Sequence, residues 1–276
     1  MCPLFEFNDT NEIMESAAMA NARTEITPDG DTASVGLLDR PRFELRSDIT
    51  VELVDHSASD VGVVRAARVS TAGEDAHREE RGEGYMDGLI KYLMRSRHGS
   101  PFEHNYMTFL INAPIFTVRH LMRHRTWSFN EESARYREIN PVFYVPDGDR
   151  LLRQEGKPGD YQYVPGADGD HTRLTESASR VYTAAYEEYT SLLESGVARE
   201  LARMVLPVST YSAVYATCNA RSLMHFLGLR TNRKDASYVS HPQREIEMVA
   251  EQMEREFARL MPLTHAAFDS FGRVSP

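Results

Sequence analysis

Cysteine is nearly absent from this sequence. The 276 residues hold two, Cys2 and Cys218. One lies at the extreme N-terminus, so a disulfide framework is not expected and a reducing compartment fits better. Excess positive charge is missing too. The formal net charge is −10, which argues against a general nucleic-acid binder, because phosphate neutralisation needs a basic surface. A small basic pocket for one anion stays allowed. No apolar run is long enough to span a membrane. The N-terminus shows no basic stretch leading into an apolar one, so no signal peptide is expected and the cytoplasm is the default. Familiar catalytic loops are also lacking. There is no G-x-G-x-x-G after a strand, no Walker A pattern and no G-x-S-x-G elbow.

What is present is an ordinary globular composition, 41% hydrophobic and 26% charged, in a chain long enough to bury a full core. The charge is unevenly spread. Residues 1–40 carry eight acids against Arg23 and Arg40, a net −6 that leaves −4 for everything else. Large apolar residues are scarce there after Phe7. Residues 1–42 therefore read as an acidic, loosely attached extension, and 43–276 as the functional domain.

Along that domain, "ITVELVDH" (49–56) alternates as a strand does. In "DVGVVRAARVS" (60–70), Asp60 is a candidate helix N-cap. Tyr85–Arg97 reads as a helix ended by "HGSP", and 103–112 as a buried strand. Pro114 opens a helix running to about His124. Residues 147–170, rich in Gly, Pro and Asp, read as a surface excursion. Helices are expected over Thr172–Glu194, 198–207 and Asn219–Leu229. The clearest is Pro242–Leu260, where Ile246, Val249, Met253, Phe257 and Leu260 are spaced 3, 4, 4, 3. Helices with a few strands make the fold class α+β.

One window stands apart. "RHRTWSFNEESARYRE" (123–138) packs Arg123, Arg125, Arg135 and Arg137 with His124, Ser128, Asn130 and Ser133. The expected helix end passes into a loop here. A solvated charged loop explains the density of arginine but not its interleaving with hydroxyls and an amide. Arginine forks suit phosphates and planar heterocycle oxygens, so a pocket for a phosphorylated planar ligand is the sharper reading. His120 and His124 have metal-ligand spacing. However, Leu121 stands where the zincin pattern needs Glu, and Arg119 and Arg123 would repel a cation, so no metal is expected. Two rivals remain: a nucleotide- or RNA-binding protein that performs no chemistry, and a metal hydrolase built on the two histidines.

The window resembles the R-H-R-x-x-S-x-N-x-x-S-x-R-Y signature of flavin-dependent thymidylate synthases, with Arg123, His124, Arg125, Ser128, Asn130, Ser133, Arg135 and Tyr136 at its fixed positions. "VRAARVS" (64–70), "HGSPFEH" (98–104), "APIFTVRHLMRHR" (113–125), "ARELARMVLP" (198–207), "NARSLMHFLGLR" (219–230) and the "EIEMVAE" helix resemble further family segments in the family's order. The family's "HAQxE" stretch has its counterpart in "SHPQREIE" (240–247), with extra residues after Arg230.

The resemblance implies a central, mostly antiparallel sheet flanked by helices. It also implies a homotetramer with active sites shared between subunits, and methylation of dUMP to dTMP. Carbon would come from 5,10-methylenetetrahydrofolate and electrons from NADPH through FAD. It implies dUMP contacts by His120, Arg123, Glu131, Glu132, Ser133, Ala134, Arg135, Arg203 and Arg230. The implied FAD contacts are His98, Ser100, Arg123, His124, Arg125, Glu131, Asn219, Arg221 and His225. Arg230 would be the catalytic residue, its guanidinium facing uracil N3 and O2 and favouring the electron-rich ring. Locally, Arg203 has a plainer reading as a salt-bridge partner of Glu200. Cys218 sits in an apolar stretch with no basic neighbour, and Ser133 lacks a general base, so no covalent nucleophile is expected. A single compact subunit is not expected to bring "HGSPFEH" and "NARSLMH" together.

Overall fold

The computed structural model describes residues 43–77, 81–157 and 160–276. The acidic extension expected over 1–42 lies outside them, apart from its boundary. β1 (Glu44–Arg46) leads into β2 (Thr50–His56) and α1 (Asp60–Ala72), then α2 (Glu83–Arg95). β3 (Met107–Pro114) passes directly into α3 (Ile115–Leu121). β4 (Ser128–Glu131), β5 (Val142–Tyr144), β6 (Arg153–Lys157) and β7 (Asp160–Val164) precede the long α4 (Asp170–Glu194) and the short α5 (Arg199–Ala202). The chain closes with β8 (Tyr211–Cys218), α6 (Ala220–Arg230), α7 (Arg244–Leu260) and α8 (Pro262–Ser270).

Strands order as β2-β3-β8-β4 in the main sheet, and every pairing in it is antiparallel. This is the α+β architecture expected. β3 and β8 form its centre, with Phe109 opposite Ala216 and Ile111 opposite Val214, all four fully buried. Helices α6 and α7 pack over the sheet through Leu223, Phe226, Leu227, Val249, Met253 and Phe257. Burial of each such side chain is worth about 1.5–3 kcal/mol. A satellite cluster joins Phe43, Phe143 and Tyr182, with Phe143 stacked on Tyr182 at 4.9 Å between ring centres.

Two expectations need correction, and two further stretches gain structure that the sequence left unread. Asp60 is not the N-cap of α1. Ser59 is, accepting from the Gly62 amide at 3.1 Å. The buried Asp60 carboxylate reaches across to the start of α8, where the amides of Leu263 and Thr264 and the Thr264 hydroxyl all donate to it. The arginine window is not a loop throughout, because Ser128–Glu131 forms the edge strand β4 against β8. The excursion at 147–170 contains the antiparallel β6–β7 pair. Finally, β8 carries no reading in the sequence. Its "YSAVYATC" alternates small residues on both faces, so the apolar period is weak, and only packing between β3 and β4 makes it central.

Candidate active site

The end of α3 delivers the first group of expected site residues. The helix stops at Leu121, and Arg123, His124 and Arg125 follow in a turn. His124 is buried beneath that turn, edge-on to Phe226 at 4.8 Å and 6.1 Å from the His225 ring. Arg230, the last residue of α6, donates from Nε to His124 Nε2 at 3.2 Å. Burial pushes the His124 pKa down to about 4, helped by the positive Arg230 and by His225. The ring is therefore neutral, with Nε2 as an acceptor and Nδ1 carrying the proton. The Arg230 guanidinium is itself lowered from its ordinary value by burial and by Arg123. Such a crowded cation favours an arriving anion.

A second group lies on the other flank of α3. A cavity of about 350 Å³ is lined by Arg119, Glu131, Glu132, Ala134, Arg203 and Ser212, among others. Glu131 accepts from the Ser212 hydroxyl at 2.7 Å, and Glu132 from the Ala213 amide at 3.0 Å. Both carboxylates are thereby tied to β8. Ser133 Oγ accepts from the Arg135 amide at 3.3 Å. The plainer reading of Arg203 fails, because Glu200 pairs with Arg135 instead, at 3.0 Å. Along β4, successive side chains alternate faces, which sends Ser128 and Asn130 one way and Phe129 the other. The alternation of Ser128 and Asn130 within the window is thus strand geometry.

The third group is formed by His98, Ser100, Asn219 and Arg221. Arg221 pairs with Glu103 and donates to the carbonyl of Pro276, and Asn105 accepts from the Ala220 amide at 2.8 Å. Gly99 allows this approach, since a Cβ there would stand 2.5 Å from Arg221 Nε. One chain therefore does bring "HGSPFEH" and "NARSLMH" together, contrary to expectation. Closure of the turn against the α6 N-terminus is a tertiary event that sequence distance hides. Asn219 is the N-cap of α6, in a reciprocal capping box with Ser222.

The groups share one chemical trait. Among the described residues, Arg119, Arg123, Arg125 and Arg203 have no acidic partner, in a chain with excess acid. Trp127 Nε1 is buried without a partner beside the same His124 turn. Unpaired guanidiniums next to an aromatic layer suit a ligand that is anionic and planar. The residues fit a flavin and a nucleotide alike.

Comparison with known proteins agrees with the signature. Residues 52–263 match the family described as "Thymidylate synthase complementing protein". The chain belongs to the flavin-dependent thymidylate synthase family. The chain is 60% identical to the flavin-dependent thymidylate synthase of Streptomyces coelicolor over 86% of its own length and 98% of that protein's. It is 41% identical to the enzyme of that name from Thermotoga neapolitana, over 79% of this chain and 89% of the other. Among solved structures, the UMP/dUMP methylase PolB of Streptomyces cacaoi bound with 5-Br dUMP superposes with a TM-score of 0.82 at 74% identity, covering 85% of this chain and all of the other. As a member of this family the chain is a flavin-dependent methylating enzyme.

No helix among the described residues is long and apolar enough to cross a membrane. Glu254, His265 and Asp269 approach one another with metal-ligand spacing, but Arg273 and Arg233 already hold Glu254. Burial works to raise the Glu254 pKa, yet the hydrogen bonds from His265 and Arg273 outweigh it and hold the group at about 2.

Proposed function

We propose that the protein methylates dUMP at uracil C5 to give dTMP, with 5,10-methylenetetrahydrofolate as carbon donor and NADPH as reductant through FAD. The observation that carries this reading is the half-buried Arg230 guanidinium resting on the neutral His124, with unpaired arginines around it. Uracil C5 is a weak nucleophile. A cation against N3 and O2 draws negative charge into the ring and so activates C5. A charge-assisted contact of that kind matters by roughly 2–5 kcal/mol. When bound, the flavin supplies the reducing equivalents.

The roles of the other side chains follow from their chemistry. Arg123, Arg135, Arg203 and His120, with Glu131, Glu132, Ser133 and Ala134, hold the nucleotide. Arg123, His124, Arg125, His98, Ser100, Glu131, Asn219, Arg221 and His225 hold the flavin. Arg119 lines the cavity beside Arg203. His120 follows it by about 100° around α3 and meets the charge of Arg230. The family resemblance supports a homotetramer with sites assembled from more than one subunit. Residues 43–276 form the catalytic domain, and the cytoplasm is its compartment.

A second substrate is supported by the 74% identity to a UMP/dUMP methylase, which suggests that the pocket also admits a ribonucleotide. The test is direct. Purified protein should be yellow and release FAD on denaturation. With NADPH and methylenetetrahydrofolate it should form dTMP from dUMP, and a parallel assay with UMP reads the second substrate. Colourless protein that takes up no FAD and leaves both nucleotides unmethylated would overturn the reading.

A further inference from the structure

Helix α2 ends at Arg95 in a closed hydrogen-bonded turn. The Arg97 amide donates to the Met94 carbonyl and the His98 amide to that of Leu93. Such a turn places one residue in the left-handed region, and glycine is the usual choice because a Cβ is strained there. This chain puts Arg97 in that place, at φ 60°. Strain of this kind gathers at functional sites, where the surroundings hold it. Glycine would close the turn more cheaply, so the Arg97 side chain has a task of its own.

Its contacts define that task. Nη1 donates to the carbonyls of Val274 and Ser275, at 3.0 and 2.9 Å. Both belong to the segment after α8, which runs back along α6. Arg273 begins it, buried and paired with Glu254 at 2.7 Å, and donates to the Thr231 hydroxyl at 3.2 Å. The Arg273 carbonyl passes so near Gly228 that a Cβ there would stand 2.8 Å away. The Ser275 hydroxyl donates to the Arg221 carbonyl at 2.8 Å, and Pro276 accepts from Arg221 Nε at 2.7 Å. Residues 273–276 thus form a strap from one end of α6 to the other. At its far end the Arg221 guanidinium is held twice, through Nε by Pro276 and through Nη1 by Glu103. Among the described residues its Nη2 has no partner, and the side chain stays half exposed. A planar fork anchored at two nitrogens presents the third in a fixed direction.

We propose that Arg97 is a positioning residue for the flavin: it clasps the 273–276 strap, and the strap aims the open edge of Arg221 at an anionic group of the cofactor. This deepens the function proposed above and rests on it, since Arg221 is there a flavin contact. Without the clasp Arg221 keeps its place but gains freedom, and the cofactor must order it on binding.

The test titrates FAD into flavin-stripped protein, read by flavin fluorescence, with thermal unfolding of each protein alongside. Arg97→Gly keeps the left-handed backbone and removes the clasp. Its Kd for FAD should rise about tenfold, the cost of ordering one long side chain, while its Tm stays close to native. Arg97→Lys should recover most of the affinity, because one ammonium can donate to both strap carbonyls. Adding Arg97→Gly to Arg221→Ala should cost nothing beyond Arg221→Ala alone. Native affinity in Arg97→Gly, or losses that add in the double variant, would overturn the proposal. Should Arg97→Gly not fold, Arg97→Asn takes its place, since asparagine also tolerates the left-handed region and is too short to reach the strap. Native protein that takes up no FAD would sink the proposed function itself. Native uptake that is indifferent to Arg97 would sink the clasp alone.

Discussion

Arg230 rests its Nε on Nε2 of His124 at 3.2 Å. The contact joins the end of α6 to the turn after α3, 106 residues apart in sequence. It requires His124 to be unprotonated at Nε2, so one side chain's charge state governs the orientation of the other.

That coupling fixes a pH dependence. The folded His124 pKa is about 4, below its ordinary 6.5. The unfolded chain therefore binds the proton more readily. Stability from His124 is fully present above pH 6.5 and is lost as pH falls from there toward 4. The loss reaches about 3 kcal/mol at most. Denaturant unfolding of the native protein and of His124→Gln at pH 7 and pH 4.5 should show a smaller drop in the variant. Equal drops would mean that His124 does not carry this linkage.

Arg230→Ala should retain FAD and lose dUMP turnover. Arg230→Lys should recover little, because an ammonium lacks the planar fork and cannot match N3 and O2 together. Native-level kcat/KM in the lysine variant would contradict the role given to the guanidinium.

Turnover should not need a thiol. Cys218 is fully buried, and burial pushes its thiol well above the ordinary range, so it is inert as a nucleophile. The double variant Cys2→Ala with Cys218→Ala should still form dTMP. Ser133→Ala should weaken dUMP binding without ending turnover, since Ser133 Oγ has the Arg135 amide for its partner and no base. Complete loss of product at saturating dUMP in either protein, with FAD still bound, would require a covalent mechanism.

Asp60→Ala should destabilise the domain by about 2–4 kcal/mol, because it strands two amides and a hydroxyl at the buried start of α8. Asp60→Asn, which keeps one acceptor oxygen, should lose less. Chemical unfolding reads both, and a neutral alanine variant would show that α8 is capped some other way.

Removing residues 1–40, with their net −6, should leave flavin retention and turnover intact. A truncated protein that no longer holds FAD would place the segment within the working structure.

The sequence by itself determined a good deal. The 3, 4, 4, 3 spacing from Ile246 to Leu260 determined α7, because an apolar stripe at helical period buries only as a helix. Alternation in "ITVELVDH" determined β2. The arginines concentrated in the window of an acidic chain pointed to an anionic ligand, whereas only the fold showed that Arg135 and Arg137 already have acidic partners, Glu200 and Glu132. Other features were decided only by tertiary structure. β8 is central because β3 and β4 flank it, not because its small residues favour a strand. Asp60 serves α8 rather than its own helix, since its acceptors meet donors more than 200 residues away. Gly99 lets Arg221 close on the turn after α2, a contact set by the absence of a side chain. Glu245 is indistinguishable in sequence from its neighbours Glu247 and Glu251. Burial at the head of α7, against Tyr144 and Arg150, gives it a fixed charge and an unfilled oxygen. Sequence records which groups a chain owns, but desolvation and direction arise only when distant segments enclose them.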